Sequence, residues 1–77
     1  MNYYKVQFAP FRYFIKNYLC YNDDKGFYLW HSGSAMYFSE EQINNDNDLI
    51  CFLKNRRYRL ILVDNQTILY KYKTYKN

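Results

Sequence analysis

Glycine occurs only twice and proline once among the 77 residues. Disordered chains and linkers are rich in such residues and poor in aromatics, so the scarcity predicts an ordered chain over most of its length. No apolar run of about 18 residues occurs, so no membrane-spanning helix and no membrane partner are expected. The opening residues MNYYKVQFAPF lack the apolar segment of a secretory signal, which points to the cytoplasm. Cysteine is limited to Cys20 and Cys51, without CxxC spacing. Both are expected as buried free thiols in a reducing compartment.

Catalytic vocabulary is scarce as well. His31 is the only histidine, and no nucleophile elbow accompanies Ser32 or Ser34. It reads as a structural residue at a strand end beside Trp30. Cys20, His31 and Cys51 lack any metal-ligand spacing. Asp23-Asp24 and Asp46-Asn47-Asp48 lack the glycine and distal glutamate of a calcium loop and read as turn and cap residues. There is no glycine-rich phosphate loop. The expectation is a protein that is not an enzyme and holds no metal or cofactor.

What the chain does have is aromatic mass and positive charge. Aromatics make up 23% of residues, including 11 Tyr and 6 Phe, which offsets the small core available to a chain of this length. Net charge is +4, which favours an anionic partner. Tyr, Lys, Ile, Phe and Asn are also the residues of AT-rich codons, and nine Asn are present. Base composition therefore accounts for part of the aromatic and basic density, and it points to a low-GC bacterium, its phages or its plasmids.

Residues 3–8 alternate, with Tyr4, Val6 and Phe8 on one side and Tyr3, Lys5 and Gln7 on the other, as in a half-buried strand. Pro10 interrupts it. Residues 11–21 fit either a helix stripe or a strand, and their aromatic content favours a strand over 12–21. NDDKG is a turn, and FYLWH returns as a strand. SGS at 32–34 is a second turn, and AMYF at 35–38 a short strand. FSEEQI then carries a full helix start: Ser39 as N-cap, Gln42 completing a capping box, and Phe38 with Ile43 as a hydrophobic staple. One helix is expected around residues 40–54, ended by Asn55; NNDND is poor helix material and offers the alternative of two short helices, with Asp46 or Asn47 recapping the second. Two closing strands, 57–63 and 67–73, surround a turn at Asp64-Asn65-Gln66. The sum is an α+β fold over residues 1–77, a small single domain of order ββββαββ with an antiparallel sheet and the helix on one face.

In that closing hairpin a three-residue loop opposes Leu62 to Ile68, Leu60 to Tyr70 and Tyr58 to Tyr72. Arg59 then opposes Lys71 and Arg57 opposes Lys73 on the other face. Like charges facing each other on a sheet are destabilising, so this face, with Arg56 nearby, is the main candidate binding surface: Arg56, Arg57, Arg59, Lys71 and Lys73. The aromatic hairpin residues Tyr28, Trp30 and His31 form a secondary candidate. The expected function is a non-enzymatic small binding protein, a phage or mobile-element inhibitor of a host nucleic-acid-handling defence protein, in the manner of an anti-CRISPR. Its partner would be a host protein or a protein–nucleic acid complex. The alternative is a DNA- or RNA-binding module that uses the basic face directly.

Overall fold

A computed structural model describes residues 2–12, 14–64 and 73–76. The elements are β1 (Tyr3–Phe8), β2 (Tyr18–Asn22), β3 (Gly26–Trp30), a 3₁₀ turn (Ser32–Ser34), β4 (Phe38–Ser39), α1 (Glu40–Asn45), α2 (Asn47–Leu53) and β5 (Tyr58–Leu62). Over the described residues this is an α+β fold with a five-stranded antiparallel sheet. The expected last strand, 67–73, lies outside the described residues except for Lys73.

β1 is the central strand. Its residues Tyr4 to Phe8 pair with Leu62 to Tyr58 of β5. Tyr4 also opposes Phe38, and Gln7 also opposes Tyr18. A strand has two edges, so β5 takes one edge of β1 while β2 and β4 share the other. β3 continues the sheet beyond β2. Alternation along these registers sorts the side chains. Tyr4, Val6 and Phe8 share a face with Tyr58, Leu60 and Leu62; Lys5 and Gln7 share the opposite face with Arg59 and Ile61.

The first face carries the core. Val6, Phe8, Leu19 and Phe38 from the sheet meet Leu49 and Leu53 from α2, and Ile43 of α1 packs at the edge. Phe27 sits at the centre of an aromatic cluster, its ring centroid 5.3 Å from those of Phe52 and Tyr75 and 5.0 Å from that of Tyr21. Offset and edge contacts of this kind add to the area they bury.

The helix signal is realised as expected. Ser39 Oγ accepts from the Gln42 N–H (3.1 Å) and Gln42 Oε1 accepts from the Ser39 N–H (3.0 Å), a complete capping box. Asp46 ends α1 and recaps the chain, its Oδ1 accepting from the Leu49 N–H at 3.0 Å. Asp46 also holds the C-terminal segment, accepting from Lys76 Nζ at 2.7 Å and Tyr75 Oη at 3.3 Å. Asn55, at φ +64°, takes the left-handed conformation that follows α2. Ser39→Ala is expected to cost about 1 kcal/mol; a urea midpoint that does not move would contradict the role of this cap.

Three expectations need correction. The strand expected over 12–21 begins only at Tyr18. Residues 9–17 instead close on themselves: Asn17 Nδ2 donates to the Phe8 and Pro10 carbonyls (both 2.8 Å) and the Arg12 N–H donates to Pro10. A side chain that supplies these donors replaces a ladder partner. Phe14, in this loop, has φ +67°. Second, Arg57 does not pair with Lys73. The Arg57 carbonyl accepts from the Ala9 N–H, and the Lys73 carbonyl accepts from the Tyr37 N–H at 2.7 Å. Residues 73–75 therefore lie along the chain leading into β4, with Thr74 in a parallel bridge to Tyr37.

Third, Cys51 is exposed, although Cys20 is buried as expected and both are free thiols. Leu49, Phe52 and Leu53 form the inward stripe of α2, and position 51 falls outside that stripe. Cys20 lies beneath the 3₁₀ turn, its Sγ 3.4 Å from the Ser34 carbonyl. Burial pushes its thiol up to about 11, so it stays protonated in neutral solution. Thiol titration of the unreduced, folded protein is expected to count one rapid thiol, Cys51, and one that reacts only on unfolding. Two rapid thiols, or none, would contradict this packing.

Candidate functional site

On the sheet face opposite the helices, Lys5, Gln7, Tyr18, Arg59 and Ile61 line a concavity of about 370 Å³, closed at its sides by Phe11, Arg12 and Ser32. β1, β2 and β5 supply the floor, and their registers place these residues there: Gln7 opposes both Tyr18 and Arg59, and Lys5 opposes Ile61. The folded-back loop 9–17 supplies Phe11 and Arg12.

Gln7 organises the site. It is only 2% exposed, and both the oxygen and the nitrogen of its amide are engaged. Oε1 accepts from Arg59 Nε at 2.8 Å, and Nε2 donates to the Arg12 carbonyl at 3.4 Å. The Arg59 guanidinium also lies over the Phe11 ring, 4.8 Å from its centroid. The head group is thus fixed on its Nε edge and on one face. Its terminal amino groups have no acceptor among the described residues. A guanidinium held in this way presents the planar fork that matches phosphate and carboxylate oxygens in pairs.

No carboxylate among the described residues lines the concavity. Among the described residues the recorded ion pair is Lys76 with Asp46, on the helix side. Burial, then the nearby charge of Lys73, lowers the Lys5 ammonium below its ordinary value. Both effects disfavour the cation, and an anion bound in the concavity would reverse the second. Lys73 Nζ is itself held by the Gly33 carbonyl at 2.7 Å.

The sequence-predicted residues separate into groups. Arg59 lies in the concavity, and Lys73 stands close enough to Lys5 to act on its charge. Arg57 is exposed just before β5, with no side-chain partner among the described residues. Arg56 departs from the group: its guanidinium covers the Phe52 ring at 4.1 Å, against α2. A residue that caps the core from the helix side cannot join the opposite face. Lys71 lies outside the described residues. Lys5, Gln7, Phe11, Arg12, Tyr18, Ser32 and Ile61 line the site without being among the residues expected from sequence. For Lys5 and Gln7 a signal existed, since their alternation against Tyr4, Val6 and Phe8 already placed them on the polar face.

The secondary candidates adjoin this surface. Tyr28 and Trp30 oppose Cys20 and Tyr18 in the β2–β3 ladder and so share the face of the concavity. Lys16 Nζ lies 4.1 Å from the Trp30 ring centroid and Lys25 Nζ 5.5 Å from that of Tyr28. His31 stands edge-on to Trp30 at 5.1 Å. With Phe14, Ile15, Tyr18, Ser32 and Gly33 it lines a second, more apolar concavity of about 230 Å³.

Among the described residues no three His, Cys, Asp or Glu side chains gather to hold a metal ion. No helix among them is long and apolar enough to cross a membrane. Comparison of the chain with protein-family models, with curated proteins and with solved structures found no match.

Proposed function

We propose that the chain is a non-enzymatic binding protein that works through the basic face of its sheet, with a host nucleic-acid-handling complex as its target. The observation that carries this reading is Arg59. It is oriented by Gln7 and Phe11, flanked by Lys5 and Arg12, and opposed by no carboxylate among the described residues. Orienting an unpaired guanidinium among other cations is unfavourable for an isolated fold, and an anionic partner removes that cost. The AT-rich residue usage is what supports a phage or mobile-element origin, in which a small inhibitor of a defence nuclease is a natural product.

A second reading, direct binding of DNA or RNA, is favoured by the aromatic rings that adjoin the cations on the same face. One experiment separates the two. Tagged protein is used to capture partners from host lysate with and without nuclease, beside free DNA and RNA at low salt. A captured protein that survives nuclease supports the inhibitor. Retention of free nucleic acid, with nothing captured after nuclease, supports the module. Capture unaffected by salt and by neutralising Arg59 sinks both.

A further inference from the structure

The basic concavity and the apolar one beside it share Tyr18 and Ser32 in their walls, so they adjoin along one depressed surface. Its two halves differ in chemistry. Lys5, Arg12 and Arg59 line the first, while Phe14, Tyr18 and His31 bring three rings to the second. The basic half alone, at about 370 Å³, lies within the size range of a small-ligand site.

Phe14 is unusual. It is 98% exposed, and it sits at φ +67°, a left-handed conformation that is uncommon for a bulky residue. A large apolar ring in strained backbone at the rim of a depression contributes nothing to the core. Strain of this kind collects where a side chain must be presented to a ligand.

We infer that this depression binds one nucleotide unit, with the phosphate on Arg59, Arg12 and Lys5 and the base stacked on Phe14. The inference rests on the reading of the basic face as the binding surface and adds the ligand's class. A nucleotide joins a compact anion to a flat π-surface, and the depression places a forked cation next to aromatic rings. Aromatic stacking accepts any base, so little sequence preference is expected. A base must be unpaired to reach Phe14, which selects a single strand or a free nucleotide over a duplex.

The test uses the full chain and fluorescently labelled oligothymidylate, an abasic oligonucleotide of the same length, a duplex and thymidine monophosphate. The thymidylate strand is expected to bind about tenfold more tightly than the abasic strand, equivalent to about 1.4 kcal/mol. Phe14→Asn, which tolerates the left-handed conformation, should erase that difference and leave abasic binding and the melting temperature unchanged. Arg59→Gln should weaken both strands alike. If thymidine monophosphate binds as tightly as the strand, the ligand is a free nucleotide; if it competes only weakly, the ligand is a strand. Either result supports the site. Equal binding of thymidylate and abasic strands by the unaltered protein would overturn it. So would a Phe14→Asn variant that keeps the difference. If neither oligonucleotide nor nucleotide binds while a nuclease-resistant protein is still captured through Arg59, the basic face stands as a protein-docking surface and the nucleotide site does not.

Discussion

Phe38→Ala is expected to remove most of the stability of this fold. Phe38 is fully buried in β4, directly opposite Tyr4 of β1. Its ring centroid lies 5.1 Å from that of Tyr75 and 6.4 Å from that of Phe27. It also precedes the Ser39 cap, so its side chain helps fix the angle at which α1 leaves the sheet. Truncating a buried Phe costs about 3–5 kcal/mol through lost transfer energy and the cavity left behind. A domain of this length has only about 4–12 kcal/mol in total. The variant should therefore be partly or wholly unfolded near 37 °C, with loss of its near-ultraviolet aromatic signal. Phe38→Leu, which keeps most of the volume, should retain a cooperative melt. A Phe38→Ala protein that melts within a few degrees of the parent would show that the Phe27–Phe38–Tyr75 cluster is not the centre of the core.

The ease with which each part of the fold is read from sequence follows the distance over which it is encoded. Ser39 and Gln42 are three residues apart, and their reciprocal bonds need nothing beyond the local chain. Asp46 recaps α2 on the same terms. The alternation of β1 is equally local, so the faces of Lys5 and Gln7 were legible. Their partners were not. Arg59 meets Gln7 across 52 residues, and the register that brings them together belongs to the β1–β5 ladder. Local pattern pairs 57–63 with the segment that follows it, most of which lies outside the described residues, and gives no sign of β1 as a partner of β5. The loop at 9–17 was the least legible element. Its apolar residues suit a strand, and what decides against one is a single Asn side chain taking two carbonyls that a ladder would otherwise use. The concavity depends on that loop for Phe11 and Arg12, which is why those two gave no warning; Tyr18, Ser32 and Ile61 reach it through a turn and strand registers that are equally non-local.

Changing Lys5, Arg12 and Arg59 together to Gln is expected to weaken binding of a polyanionic partner by about a hundredfold at 50 mM salt. Each phosphate neutralised on a single strand contributes about 0.7 to the slope of log K against log salt, so the three changes should flatten that slope by about two units. General loss of charge cannot be the cause if the control is matched. Lys54→Gln with Arg56→Glu also removes three units of charge, taking the formal net charge from +4 to +1, but from the helix side of the molecule. That variant should keep most of the affinity and slope. Stability must be followed in parallel, because Arg59 and Lys5 pull in opposite directions. Without Arg59 the buried Gln7 Oε1 loses its donor, a deficit of about 1–3 kcal/mol if nothing replaces it. Without Lys5 the repulsion from Lys73 and the cost of burying an ammonium disappear, so Lys5→Gln alone should leave the melting temperature unchanged or higher while still weakening binding. That single variant separates the two roles most cleanly, since stability and affinity move in different directions. Equal losses in the concavity variant and the helix-side control would reduce the basic face to a contribution of net charge. The oriented Arg59 would then have to be explained as packing.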